Sequence, residues 1–456
     1  MTLALPAGSL DHYVQASAAV RKEQRRCGKA RLMTCHGVAL QPGQPTIFRL
    51  EVGAFTDVDW SWEGARAFKP EDLPEFDDPL AMNAPSHDPS KLLWRGEVVA
   101  VDEDGGALYL AAEGQDAPTS GRFIVQPFDF HESLAQLLHL GRPPQWQADL
   151  SARLQAALAP ETEPCLEDHG AVAALRGMWR YPWTLLWGPP GTGKTWTLGR
   201  QVARCVADPD ERVLVVSTTN RATDNAALQI GAALAETRRR PEVRRVGSGV
   251  DFGRLEATGL AAMVGEHEAG LRRELSALAG QLERARTPVE RGHLTAEMGQ
   301  LRAALGDASL KVVLDRRMRV VIGTVFNATR LLSRPELQQA LADGTPLFTT
   351  ILIDEAGMVS RAATAALSLW ASRRVVLIGD PRQLAPVVRE TRVLPPQEAR
   401  WLACSGLGHL QGPSQDGAMV QLRRQHRMAP AIRAVVSAYS YDGALEDADG
   451  VAGRPF

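Results

Sequence analysis

Eight consecutive residues, Gly188-Pro189-Pro190-Gly191-Thr192-Gly193-Lys194-Thr195, have the types and spacing of a phosphate cradle, G-x-x-x-x-G-K-[ST]. Glycines let backbone N–H groups turn inward around phosphate oxygens, and a helix that starts at the loop points its positive end at them. Lys194 suits the β- and γ-phosphates, and the Thr195 hydroxyl suits Mg²⁺. The flanks agree with this chemistry. Trp183-Thr184-Leu185-Leu186-Trp187 reads as a short buried strand, and Thr195 to Ala207 carries Trp196, Leu198, Val202 and Val206 at helical spacing. A glycine-rich turn that matched by chance would have neither neighbour. Gly188 to Trp196 is therefore the expected cofactor-binding segment for a nucleoside triphosphate, taken as ATP with Mg²⁺.

Two further segments carry phosphate chemistry. Ile351-Leu352-Ile353-Asp354-Glu355 is an apolar strand ending in adjacent carboxylates. Asp354 would hold the Mg²⁺, and Glu355 would polarise the attacking water as general base. An acidic pair at a strand end is by itself usually a solvated turn; beside a phosphate loop in the same sheet it gains weight. Val375 to Val387 repeats the arrangement with Gly379-Asp380-Pro381-Arg382-Gln383-Leu384-Ala385-Pro386. Gln383 is an uncharged group able to touch the γ-phosphate or its water. The plain alternative is a tight Gly-Asp-Pro turn.

The elements that must position these residues read as an α/β sheet. The continuous apolar runs Leu185–Trp187, Val213–Val216, Val320–Ile322, Ile351–Ile353 and Val375–Ile378 have the character of buried parallel strands. Each ends in a polar or glycine-bearing loop, where open α/β sheets carry their sites. Between the second and third strands, Leu271, Leu275, Leu278 and Leu282, then Leu294, Met298, Leu301 and Leu305, repeat at four-three-four spacing, with Pro288 and Gly292 between the sets. That predicts an inserted antiparallel helical hairpin with a packing seam. Ahead of the sheet, Thr46–Val52, Glu97–Val101, Ala107–Ala111 and Phe123–Val125 read as short strands of a small β-barrel, with a hairpin turn at Asp104-Gly105-Gly106. Phe68 to Lys91, rich in proline and acid, reads as a loop. Helices are expected over 11–26, 132–140 and 147–158.

Composition sets outer bounds. A chain of 456 residues, 45% hydrophobic and 23% charged, is an ordinary globular composition with room for about three domains. The formal net charge of −2 gives no basic footprint, so any nucleic-acid contact must be local or made by backbone and hydroxyl donors. Five scattered cysteines without a C-x-x-C pair read as reduced thiols rather than a disulfide framework or a zinc site. No apolar run approaches the roughly 18 residues of a membrane span, and Met1–Leu10 lacks the features of a signal peptide. The expected setting is cytoplasmic, without a membrane partner.

Taken together, these motifs resemble a superfamily 1 helicase of the 5′-to-3′ branch that includes the nonsense-mediated-decay RNA helicase and senataxin. The segments that carry the resemblance are Gly188–Thr195, Ser217-Thr218-Thr219-Asn220 with Asp224-Asn225, Gly323-Thr324-Val325, Asp354-Glu355-Ala356-Gly357, Gly379–Pro386 and Gln425-His426-Arg427-Met428-Ala429-Pro430. The resemblance implies a P-loop NTPase with a RecA-like parallel sheet, an N-terminal small β-barrel and an inserted helical hairpin. It implies that Arg427 reaches the γ-phosphate from a second RecA-like domain, and that Asn220 and Thr324 contact the nucleic-acid backbone. The expected organisation is an N-terminal region over 1–130, a helical connection over 131–164, a first RecA-like domain over 165–415 with its insertion at about 253–312, and an incomplete second one over 416–456. The adenine-reading glutamine of the family has no counterpart in Leu166–Gly170, and His426 stands where the family has tyrosine. The later family motifs are absent before Phe456. The expectation is therefore a piece of a longer protein, or a chain that binds ATP without translocating.

The loops Ser217–Asn220 and Gly323–Val325 lack phosphate-cradle chemistry. Ser217, Thr219, Asn220 and Thr324 offer small hydroxyl or amide groups that suit phosphate oxygens without reading bases. They are the expected contacts to single-stranded DNA or RNA, with helix capping by Asn220 and Thr324 as the bland alternative. The function expected is ATP-dependent movement on a nucleic-acid strand; a non-translocating nucleotide switch or nucleic-acid-binding ATPase module is the alternative.

Overall fold

The computed structural model describes residues 183–451 apart from 238–241, 248–249, 283, 333, 343–346, 369, 387–395 and 408–418, together with six strands between 31 and 126 and short pieces at 18–20, 130 and 133–134. The chain divides into two compact units, one of 21–132 with 266–308 and one of 1–20, 133–265 and 309–456.

In the first unit, β1 (Arg31–Ala39), β2 (Ile47–Val52), β3 (Arg66–Pro70), β4 (Leu92–Asp102), β5 (Ala107–Ala112) and β6 (Ser120–Gln126) close into a barrel of order β1-β2-β5-β4-β3-β6. All its pairings are antiparallel. Leu108 and Leu110, two apart on β5, are fully buried, as period-two alternation requires. β1 and β3 carry no clean alternation and were not legible; β3 also takes Phe68–Pro70 out of the expected loop. The insertion is a pair of helices, α3 (Glu266–Leu282) and α4 (Pro288–Leu314), labelled in chain order after two introduced below. Pro288 opens α4 rather than separating the helices, because a proline in the first turn removes an N–H that has no partner anyway. Leu278, Met298 and Leu305 of the leucine repeat are buried. The helices expected at 11–26, 132–140 and 147–158 lie almost wholly outside the described residues.

The second unit is built on a seven-stranded sheet of order β13-β7-β12-β11-β8-β10-β9. Its strands are β7 (Trp183–Trp187), β8 (Val213–Ser217), β9 (Val243–Arg245), β10 (Val320–Thr324), β11 (Phe348–Ile353), β12 (Ala371–Gly379) and β13 (Met419–Gln421). Every neighbouring pair is parallel. β8 and β10 are buried along their whole length, which is why they read as unbroken apolar runs. The helices used below are α1 (Lys194–Cys205), α2 (Asn220–Glu236), α5 (Val325–Leu332) and α6 (Pro430–Ser440).

The edge strands β9 and β13 have three residues each, one carrying two arginines, so no apolar run announced them. β13 pairs with β7, so the sheet runs past the boundary expected at 415. The order has one consequence for chemistry. β12 lies between the strand that feeds the phosphate loop and the strand that ends at the acidic pair. The carboxyl ends of β7, β12 and β11 are thus grouped, and those of β8, β10 and β9 form a second group. The fold is that of a RecA-like P-loop NTPase. No helix among the described residues is long and apolar enough to cross a membrane.

Candidate active site

The phosphate loop leaves β7 and re-enters as α1, with its backbone tied to the neighbouring strand by Gly188 N–H donating to the Gly379 carbonyl at 2.9 Å. Lys194 folds back over the loop, its Nζ donating to the Gly188 carbonyl at 2.7 Å. That return needs glycine at 188: a Cβ there would lie 2.2 Å from the Lys194 Cγ. Thr192 Oγ1 donates to the Pro189 carbonyl at 2.8 Å and closes the turn. At the N-cap of α1, Gly193 makes no side-chain cap bond, so the first helical N–H groups are directed at whatever anion the loop holds. Thr195 is half-buried beside them, while Trp196 is exposed with the Arg200 guanidinium 4.1 Å over its ring. The Trp196 ring thus stacks on its own helix.

Asp354 follows β11 and is buried, its N–H donating to the Val216 carbonyl at 2.8 Å. Its Oδ1 is buried with no hydrogen-bond partner among the described residues. Burial, and then the charge of Glu355, push the Asp354 carboxyl up to about 7, while Lys194 pulls the other way. A buried carboxylate oxygen without a donor, within the field of the loop lysine, is the donor chemistry a hard divalent cation takes. The residues present therefore fit Mg²⁺, with Asp354 and Thr195 as the oxygens that would hold it. Glu355 comes next in a left-handed conformation, φ 51°, where a residue with a Cβ is strained.

The loop after β12 carries the third set. Asp380 is buried and accepts from Trp187 Nε1 at 3.1 Å, from the Arg382 N–H at 3.0 Å and from Tyr441 Oη at 2.6 Å. Burial, and then this bond to Asp380, push the Tyr441 hydroxyl well above its ordinary range, and the Gln383 side chain also reaches it. Arg382 donates to the Ser440 carbonyl and to Asp442 Oδ2, the latter at 2.7 Å. Gln383 itself is exposed.

The segment after β13 comes to the phosphate loop. His426 N–H donates to the Gly191 carbonyl at 2.8 Å. A Cβ on Gly191, whose φ is +77°, would lie 2.8 Å from the Arg427 Cβ. Arg427 therefore starts its side chain against the phosphate loop. Buried Gln425 holds it there, its Oε1 accepting from the N–H groups of Arg427 and Met428 at 2.8 and 2.6 Å. Its Nε2 donates to Asp447 at 2.6 Å, and Arg433 of α6 pairs with the same carboxylate at 2.9 Å.

Lys194, Thr195, Asp354, Glu355, Gln383 and Arg427 are thus gathered on the β7–β12–β11 side. Residues 172–389 match the family model described as an AAA domain. Within the whole chain, 100 residues are 34% identical to the human (Homo sapiens) DNA replication ATP-dependent helicase/nuclease DNA2, a stretch of 22% of this chain and 9% of that protein. Among solved structures, the arterivirus nonstructural protein 10 helicase in complex with DNA aligns at 13% identity with a TM-score of 0.35, covering 97% of this chain and 62% of that one. The PRRSV helicase aligns at 12% identity with a TM-score of 0.29, over 92% of this chain and 50% of that one. The chain thus spans between half and two thirds of these solved chains, and at such scores the likeness carries no weight beside the strand order itself.

The other strand ends of the sheet place the remaining expected residues differently from one another. Ser217 is fully buried, and its hydroxyl has no partner among the described residues, so it does not face the loop surface. Thr219, not Asn220, is the N-cap of α2, its hydroxyl accepting from the Ala222 N–H at 3.2 Å. Thr324 is buried and its hydroxyl accepts from the Asn327 N–H at 3.1 Å, a cap for α5. Asn220 is exposed, with its Oδ1 accepting from Arg245 Nη2 at 3.0 Å. Sequence reasoning did not single out Arg245, Asp380, Gln425 or Tyr441 for these roles, because each also depends on a partner more than 20 residues away that local spacing does not report.

Proposed function

We propose that this chain carries the ATP-hydrolysing half of a nucleic-acid helicase or translocase of superfamily 1. The observation that carries this reading is Arg427 beginning its side chain against Gly191, brought from beyond the end of the sheet. A cation delivered to the γ-phosphate by a segment separate from the loop makes nucleotide state and segment position depend on each other. Gln383 supports the same coupling, because the loop that bears it is tied through Asp380 and Tyr441 to that segment. The combination of Gly379–Pro386 with Gln425–Pro430 favours a helicase over a nucleotide switch, the whole motif set resembles the 5′-to-3′ branch, and the stretch of identity to DNA2 agrees with a helicase.

In this reading Gly188–Trp196 binds the nucleotide and Lys194 neutralises its β- and γ-phosphates. Thr195 and Asp354 hold Mg²⁺, which supplies charge neutralisation when bound. Glu355 takes the proton of the attacking water, and Gln383 orients that water. Arg427 stabilises the charge that develops on the transferred phosphoryl group, a contribution worth about 10³–10⁵ in rate where such arginines act. The second group of loops meets a single strand through the Asn220 amide and backbone N–H groups, with Ser217, Thr219 and Thr324 shaping them.

The test is steady-state ATP hydrolysis with and without single-stranded DNA or RNA, on wild type, Lys194→Ala and Glu355→Gln. Wild type is expected to hydrolyse ATP faster with a single strand present. Lys194→Ala should lose nucleotide affinity, and Glu355→Gln should keep affinity and lose turnover. ATP binding with turnover that no strand changes would return the nucleotide-switch reading, and normal hydrolysis by Glu355→Gln would remove the base assignment.

A further inference from the structure

Behind the loop that follows β8 lies a buried ion pair that none of the steps above uses. The side chains of Arg245, the last residue of β9, and Asp224, in the second turn of α2, are 0% and 3% exposed. Arg245 Nε donates to Asp224 Oδ1 at 2.7 Å, Nη2 donates to Asn220 Oδ1 at 3.0 Å, and Nη1 donates to the Val246 carbonyl. The second oxygen of Asp224 accepts from the Asp251 N–H at 3.1 Å. Burial draws the guanidinium below its ordinary range and the Asp224 charge holds it up. Every one of these bonds runs from a donor on Arg245 or a backbone N–H to an oxygen, so both buried charges are compensated.

The pair dictates the orientation of an exposed side chain. A guanidinium carries donors only and has no acceptor. The atom of Asn220 that meets it must therefore be the carbonyl oxygen, and the amide nitrogen is left on the other side. Asn220 is the first residue of α2, so its NH₂ group stands in the positive field of that helix N-terminus. Without Arg245 the amide could turn either face outward, and its oxygen would repel a phosphate.

We propose that Arg245 is a positioning residue for strand binding, which holds the Asn220 amide with its NH₂ outward as a fixed donor to the phosphodiester oxygens of a single strand. The proposal rests on the reading of the strand-end loops as the nucleic-acid contact. It gives a role to the one neutral side chain that Arg245 meets besides its carboxylate, a side chain that is itself exposed.

The experiment measures binding of a fluorescently labelled single-stranded oligonucleotide by anisotropy, alongside the melting temperature. Asn220→Asp is isosteric. It keeps an oxygen toward Arg245, gaining charge there, and places a carboxylate oxygen where the donor stood. The expected result is a loss of strand affinity of about tenfold or more with a melting temperature unchanged or raised. Arg245→Lys keeps the charge and loses the fork, and should weaken strand binding several-fold. Because it acts through Asn220, it should cost little further affinity in an Asn220→Ala background. Strand affinity of Asn220→Asp equal to wild type overturns the proposal, as does an Arg245→Lys loss that is the same in both backgrounds. If Arg245→Lys does not fold, the Asn220→Asp measurement decides alone. A wild-type chain that binds neither DNA nor RNA single strands would instead defeat the underlying reading of these loops.

Discussion

Glu355 combines a reactive carboxylate with a backbone conformation that glycine would adopt without strain. At φ 51° its Cβ costs on the order of 1 kcal/mol, a strain tolerated where the residue is needed. Glu355→Gly is therefore expected to raise the unfolding free energy by about 1 kcal/mol while abolishing hydrolysis; Glu355→Gln should abolish hydrolysis with stability unchanged. Thermal melts set beside turnover check this, and a destabilised Glu355→Gly would mean the conformation is not strained. Its neighbour Asp354 carries a pH signature. Its carboxyl sits at about 7 in the folded chain against an ordinary 3.8, so the native state holds the proton more tightly than the unfolded one. Such a group contributes full stability below its unfolded value, and that contribution is lost as pH rises through the folded one. Nucleotide-free protein should melt at falling temperature as pH rises from the ordinary 3.8 toward about 7, and Asp354→Asn should flatten this slope. A slope that persists in Asp354→Asn belongs to other groups.

At the scale of elements, the strand-end loops owe their shape to two helix caps. Thr219 satisfies an N–H of the first turn of α2, and Thr324 does the same for α5. Thr219→Ala and Thr324→Ala are each expected to lower stability by about 1 kcal/mol, read from chemical denaturation. If Thr219→Ala weakened strand binding with no change in stability, its hydroxyl would be a strand contact rather than a cap. Only the Thr324 cap was legible, as an alternative; capping of α2 was offered for Asn220, since Ser-Thr-Thr-Asn in sequence presents four side chains for one capping position. Burial decided among them: Ser217 belongs to the last rung of a fully buried strand, and the exposed Asn220 is the first residue of the helix itself. The same logic explains the helical pair of the insertion. The leucine spacing predicted both helices, but the boundary at Pro288 depended on which N–H groups lacked partners, and spacing does not report that.

Across the whole molecule, two of the bonds that join the loop of β12 to the segment after β13 are of unequal worth. Tyr441 donates to a buried carboxylate, whereas the Arg382–Asp442 pair leaves Asp442 75% exposed. Tyr441→Phe removes a donor from Asp380 and should cost about 1–3 kcal/mol. Asp442→Asn, which retains a residue that tolerates the left-handed φ of 52°, should cost less than about 1 kcal/mol. Equal costs in denaturant unfolding would show that Asp380 is reached by water when the tyrosine hydroxyl is removed.

What the sequence determined by itself was the chemistry that is contiguous in the chain. The phosphate loop, the apolar strands, the acidic pair after β11 and the Gly-Asp-Pro loop after β12 each depend on neighbours within about ten residues, so type and spacing sufficed. The barrel was legible in the four strands that alternate or follow a clear turn, and not in the other two. What only the tertiary structure decided was which of these pieces meet. Strand order placed β12 between the phosphate loop and the acidic strand. It seated Arg427 against Gly191, and it set a buried arginine of β9 behind Asn220. Those outcomes rest on hydrogen bonds and packing between segments far apart in the chain, whose partners no local pattern encodes.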